Sequence, residues 1–168
     1  YQWAAGGYIT IVPGKTFEPS WPINRIKKLY DSGLYFGSYG YDPYNAATVI
    51  NALSQWVFDE GFDPKQIVIP VKQGFGNYSP VVQQFDYYVK RAIDDGAGHM
   101  IPQPLIHLSP NPLWPYCFGC VKLQESNDGM GNLKPVKRSN SAACKVDPVQ
   151  MLLTGLILYN AAEKAINK

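Results

Sequence analysis

Twice in this chain an apolar run passes into Asp-Pro and then into a helix-forming segment. That order restricts the chain to folds in which strands or loops hand over directly to helices. The first instance runs from Leu34 to Ala47 (LYFGSYGYDPYNAA), with Asp42 before Pro43. The second runs from Cys144 to Leu153 (CKVDPVQMLL), with Asp147 before Pro148. A carboxylate on the first turn after a strand or loop is aimed outward from the scaffold, and two such carboxylates can share a divalent metal. Oxygen-only ligation is what Mg²⁺ and Mn²⁺ require for phosphodiester chemistry. Asp followed by Pro is also the commonest way to start a helix, with Asp as N-cap and Pro at the first helical position. Asp63-Pro64 reads as a plain turn and serves as an internal control.

The alternation continues along the chain. Tyr8 to Val12 reads as a short strand stopped by Pro13-Gly14. Ser20 can cap a helix that carries Ile23, Ile26, Leu29 and Tyr30 at helical spacing and ends at Gly33. Leu34 to Tyr41 reads as a strand, with Asp42 at its C-terminal edge. The helix after Pro43 keeps Val49, Ile50, Leu53, Trp56 and Val57 on one side and stops near Gly61. Ile67 to Val71 is a short apolar strand and Gln73 to Ser79 a loop. Ser79-Pro80 starts a helix with Val82, Phe85, Val89 and Ile93 inward, closed by Gly96. The Pro-rich stretch from Gly98 to Pro115 is expected to be irregular or only briefly helical. Val121-Lys-Leu and Leu133-Lys-Pro-Val flank Asn127-Asp-Gly129, a hairpin signal. A last, largely apolar helix from about Pro148 to Ala165 is expected to be well buried. Strand–helix–strand–helix order argues an α/β fold.

A length of 168 residues allows one domain with a substantial core, and 46% hydrophobic against 17% charged residues excludes a disordered chain. Net charge is only +2, which by itself predicts no polyanion partner, but its distribution is uneven. Lys122, Lys134, Lys137, Arg138 and Lys145 face only Glu125 and Asp128 in the same segment, a local +3 that leaves −1 for the rest. A basic arm with a Gly-rich tip suits phosphate contact, and a solvated loop fits it equally. Cys117, Cys120 and Cys144 make an odd count, with no secretory signal and no apolar run long enough for a membrane. A reducing, cytoplasmic setting is the simplest inference. The start at Tyr1 without Met suggests an excised or cleaved fragment.

Several motifs fail on spacing. Gly14-Lys15-Thr16 invites a phosphate-loop reading, but Ile9 stands where that motif needs Gly, and Phe17-Glu18-Pro19 does not start a helix cleanly. Cys117-Phe-Gly-Cys120 has zinc-knuckle spacing, with Cys144 and His107 as further ligands; without a second matched pair, buried small hydrophobes explain these cysteines better. His99 and His107 are candidate general bases without an evident partner. No Gly-x-Ser-x-Gly or paired His–acid signature for acyl transfer is present.

Read in order, the pieces resemble one family. They are Gly7-Tyr-Ile-Thr-Ile-Val-Pro-Gly14, Tyr41-Asp-Pro-Tyr-Asn-Ala46, Gln73-Gly-Phe75 with Ser79-Pro80, and Leu105-Ile-His107. Asn111-Pro-Leu-Trp114, Gly131-Asn-Leu-Lys-Pro135 with Lys137, and Lys145-Val-Asp147 before a long apolar helix complete the string. It resembles the C-terminal nuclease domain of the large terminase subunit of tailed bacteriophages, over nearly all of residues 1–168. The resemblance implies a ribonuclease H-like mixed sheet flanked by helices and a Mg- or Mn-dependent endodeoxyribonuclease that cuts concatemeric double-stranded DNA during packaging. It implies Asp42 and Asp147 as catalytic, metal-binding acids of a two-metal site, facing one shared cleft. Lys134 and Lys137 on the hairpin, with Lys122 and Arg138, are natural DNA-backbone contacts. The family's first acid would precede Tyr1, so the first N-terminal strands would be missing and this chain alone inactive or nearly so. Implied partners are double-stranded DNA, an upstream ATPase domain of the same subunit, the portal protein and the small terminase subunit, in the cytoplasm of a bacterial host and with no membrane. The family's last motif usually continues Asp-Gly, where this chain has Asp147-Pro148. A non-catalytic DNA-binding or motor-docking module, or another ribonuclease H-like nuclease such as a junction resolvase, are the alternatives.

Overall fold

Helical periodicity and short β-rich runs alternate along the chain, and the computed structural model is accordingly mixed α/β. It describes residues 2–14, 16–44 and 46–166. Lys15 of the Gly14-Lys15-Thr16 motif and Asn45 of the Tyr41–Ala46 motif lie outside the described residues. The described strands pair two by two into three separate two-stranded sheets, and the expected single mixed sheet does not form among the described residues. The chain divides into two compact units, Tyr1–Lys72 and Gln73–Lys168.

In the first unit, α1 (Gln2–Ala5) is a single turn. The expected strand over Tyr8–Val12 does not form: no ladder partner lies beside it among the described residues, and Tyr8, Ile9 and Ile11 stay exposed. An apolar run without a neighbouring edge has nowhere to place its backbone hydrogen bonds. Helix α2 (Ser20–Asp31) matches its periodicity. Its N-cap is Pro19, with no side-chain cap, and the Ser20 hydroxyl donates to Glu18 at 3.4 Å. Strand β1 (Tyr39–Tyr41) is shorter than the run from Leu34 suggests, and Leu34 and Tyr35 are exposed. Helix α3 (Ala47–Asp59), the short α4 (Pro64–Ile67) and β2 (Val68–Pro70) follow. β1 and β2 pair in parallel, Tyr39 opposite Val68 and Tyr41 opposite Pro70, with α3 and α4 in the crossover that parallel strands require. Ile23, Leu53, Trp56, Val57 and Val68 form the core. The Trp56 ring meets Tyr30 edge-on at 5.5 Å, and its indole N–H donates to Glu60 at 3.0 Å, so a large side chain is buried with its one donor satisfied.

The second unit opens with α5 (Phe75–Lys90). It begins more than a turn before the expected Ser79-Pro80 start, from an extended Gly74, and carries Pro80 inside. Pro80 removes one bond to the carbonyl four residues back, that of Gly76, in the second turn of the helix. The helix ends at Lys90, so Ile93 belongs to β3 (Ala92–Asp94), paired antiparallel with β4 (Met100–Pro102). Gly96, at φ 83°, serves that hairpin tip rather than a helix stop. A short α6 (Leu113–Gly119) leads into β5 (Val121–Glu125) and β6 (Leu133–Lys137), the expected hairpin, with Val121 opposite Lys137 and Glu125 opposite Leu133. Its turn is held by Asp128, which accepts from the Met130 amide at 3.0 Å and from the Ser126 hydroxyl. The last helix, α7 (Asp147–Ile166), buries Val149 and Leu153 against Tyr78, Val81, Val82 and Cys117. It is less buried than its composition suggests: Met151 and Tyr159 are exposed. Ser79, buried on α5, accepts the Leu133 amide at 3.1 Å and ties the hairpin to the helix. Among the described residues no helix is long and apolar enough to cross a membrane.

Candidate functional site

The alternation of a β-hairpin builds the site in the second unit. On β5–β6, Leu123 and Pro135 face one another across the ladder, as do Gln124 and Lys134 on the opposite face. Lys122 shares that second face, two residues from Gln124. Lys134 is half-buried and its ammonium sits 4.6 Å above the Phe75 ring at the start of α5. That contact orients the charge at small cost, because the aromatic face is electron-rich. Lys137 is exposed at the end of β6. After a loop, Val146 is buried and Asp147 opens α7 as an exposed carboxylate on the first turn, where a negative charge is favoured by the helix dipole.

Lys134, Lys137 and Asp147 line one open cleft of about 250 Å³, together with Gln73 and Gln150 and with Val146 on its wall. The sequence singled out one acid and four basic residues here, and three of the five converge. Lys122 lies on the same hairpin face as Lys134 but outside the cleft lining. Arg138 is exposed, yet its guanidinium donates to the Val121 carbonyl at 3.4 Å and its amide to the Cys120 carbonyl at 2.8 Å, so it also pins the hairpin base. Gln73 and Gln150 were not anticipated as site residues; Gln150 lies three positions after Asp147, the spacing that puts two side chains on one helix face.

Asp42, in the first unit, follows β1. Its carboxylate accepts the Tyr44 amide at 3.1 Å, the same contact that Asp63 makes with the Lys65 amide at 3.0 Å. At Asp63 the contact caps α4. At Asp42 it closes a turn ahead of α3, whose own N-cap is Ala46. The helix-starting role of Asp-Pro is thus realised at Asp63, and Asp147 differs from both in lying within its helix.

The remaining candidates sort by their partners. His99 is exposed but not isolated: its Nδ1 lies 3.1 Å from the Asp95 carboxylate. The amides of Ala97 and His99, then the His99 ring, hold the Asp95 carboxyl below its usual range. His107 is exposed, and Cys117 is almost fully buried in the core. No cluster of three His, Cys, Asp or Glu side chains suited to a metal ion occurs among the described residues, so the zinc set is not assembled. Burial, then the neighbouring Cys120 and Asp147, push the Cys117 thiol up. Cys144 donates to the Cys120 carbonyl at 3.3 Å. A side-chain hydrogen bond between these two pushes the Cys120 thiol up and holds Cys144 down, the latter helped by the Ser139 and Arg138 amides.

Two lysines, one carboxylate and two side-chain amides thus share the lining of one cleft. The carboxylate and amides offer oxygen donors, as a Mg²⁺ or Mn²⁺ ion requires, although the set holds a single carboxylate. No family model, no curated protein and no solved structure matches the chain.

Proposed function

We propose that this chain carries the nuclease chemistry of a tailed-bacteriophage DNA-packaging terminase, on a ribonuclease H-like scaffold, cutting double-stranded DNA with Mg²⁺ or Mn²⁺. The observation that supports it is the convergence of Asp147 with Lys134 and Lys137 on one open cleft. Each lysine takes a phosphate oxygen and positions the duplex without reading its sequence. Phe75 holds the Lys134 ammonium in place before DNA arrives. Asp147, with the amide oxygens of Gln73 and Gln150, would hold a divalent ion, and Asp42 is the second carboxylate that the family resemblance assigns to the chemistry. When bound, such an ion activates water and stabilises the leaving oxygen of a phosphodiester. The upstream ATPase domain, portal protein and small terminase subunit belong to the same proposal as partners.

A non-catalytic DNA-binding module is the second reading. It is favoured by the lack of a ready-made cluster of three metal-ligating side chains among the described residues. Plasmid nicking separates the two. Protein expressed from its full reading frame should nick supercoiled DNA in Mn²⁺, and Asp147→Asn should abolish nicking while duplex binding persists. Binding without metal-dependent nicking in the unsubstituted protein would favour the second reading.

A further inference from the structure

The hairpin that carries Lys134 and Lys137 is bracketed by two cysteines, the sulfur of one lying against the backbone of the other. Cys120 sits between α6 and β5, and Cys144 lies 24 positions later, between β6 and α7. The Cys144 sulfur donates to the Cys120 backbone carbonyl at 3.3 Å, which places it beside the Cys120 residue. The Cys120 carbonyl also accepts the Arg138 amide at 2.8 Å, and the Cys144 amide donates to the Ser141 carbonyl at 3.0 Å. Both residues are therefore held by backbone contacts before any chemistry occurs. The third cysteine differs: Cys117 is 1% exposed in the core, whereas Cys120 is half-buried and Cys144 is 8% exposed. An oxidant as small as a peroxide reaches the first pair in preference to Cys117.

We propose that Cys120 and Cys144 form a reversible thiol–disulfide pair that closes a covalent loop around the β5–β6 hairpin. The chemistry balances with hydrogen peroxide as the oxidant. The Cys144 thiolate attacks one peroxide oxygen, giving a sulfenic acid and hydroxide. The Cys120 sulfur then attacks the Cys144 sulfur and displaces the sulfenic oxygen, which leaves as water with the thiol proton. Two thiols and one peroxide thus become one disulfide and two waters, and a small thiol reductant reverses the oxidation by exchange. The nearness of Cys120 as resolving partner, its carbonyl 3.3 Å from the Cys144 sulfur, favours the disulfide over further oxidation of the sulfenic acid.

The test is a brief treatment of the folded 168-residue chain with one equivalent of peroxide, followed by denaturation, alkylation of remaining thiols and mass spectrometry. One alkylated thiol and a tryptic cross-link joining the peptide of residues 92–122 to that of residues 139–145, placed at Cys120 by fragmentation, are expected and are lost again after dithiothreitol. Cys117→Ala should leave the cross-link unchanged, and Cys144→Ser should prevent it. Three alkylated thiols, a link through Cys117, a link between two chains, or over-oxidised Cys144 without a cross-link would each overturn the proposal. Circular dichroism of the treated chain shows that the reaction occurred in folded protein.

Discussion

Replacing Lys134 and Lys137 together by alanine removes the two ammonium groups from the Asp147 cleft. If each neutralises one phosphate, the slope of log affinity against log salt should fall by about 1.8, since one contact to duplex DNA contributes about 0.9. Between ~50 and ~200 mM salt, one contact is worth about 3.5-fold in affinity and two about 12-fold. The unsubstituted chain should therefore lose about 12-fold more affinity than the double variant over that range, for any duplex sequence. Lys134 is half-buried over Phe75, so its removal also costs about 0.5–1 kcal/mol of stability through the lost cation–π contact. Lys137 is exposed and should cost little. Lys134→Arg separates the two effects, because it keeps charge and ring contact and should keep the slope. Fluorescence anisotropy with two unrelated duplexes at several salt concentrations supplies the measurement, with urea unfolding as the stability control. An unchanged slope in a folded double variant would refute the cleft as the phosphate site.

Asp42→Ala should destabilise the first unit by about 1 kcal/mol through loss of the Tyr44 amide contact, whereas Asp42→Asn keeps an acceptor and should cost less; urea unfolding followed by tryptophan fluorescence compares them. Trp56→Ala should cost about 3–5 kcal/mol, the range for truncating a buried aromatic, and the same unfolding experiment by circular dichroism measures it. Asp95, held down by the Ala97 and His99 amides and the His99 ring, should contribute stability above its unfolded pKa of about 3.9 and lose it as pH falls through the lower folded value. An NMR titration of its carboxyl should show that low midpoint, and His99→Ala should move it upward; a midpoint at or above about 3.9 in the unsubstituted chain would count against the contact.

Where local chemistry decides the backbone, the sequence is readable. Asn127-Asp-Gly129 announces the β5–β6 hairpin because the Asp128 carboxylate accepts the Met130 amide, and Gly129 takes the φ of 72° that the turn needs. Helices α2 and α3 follow their periodicity and are each stopped by a glycine at positive φ two residues past the last helical one, Gly33 and Gly61. Elements that depend on distant partners are not readable in this way. Tyr8–Val12 has strand composition but no ladder neighbour among the described residues, and Ile93 fits a helical face yet pairs with Ile101. Ser79-Pro80 looks like a helix start, but Ser79 is needed inside α5 to receive the Leu133 amide. Of the candidate site, Asp147, Lys134 and Lys137 were identifiable one by one. Their convergence depends on the packing of the hairpin against α5 and on the turn that brings the chain back to α7. The Asp95–His99 contact has a weaker signal in the sequence, a spacing of four around a Gly-rich tip.

The central claim is that the Asp147 cleft binds a divalent ion beside a lysine-held phosphate. Anomalous scattering from crystals of the chain grown with Mn²⁺ and a short duplex locates that ion directly. A manganese peak at ligand distance from the Asp147 carboxylate, with a phosphate on Lys134 and Lys137 and the peak lost in Asp147→Asn, is the expected result. Duplex seated in the cleft with no manganese at Asp147, or manganese and DNA both bound elsewhere, would contradict the claim.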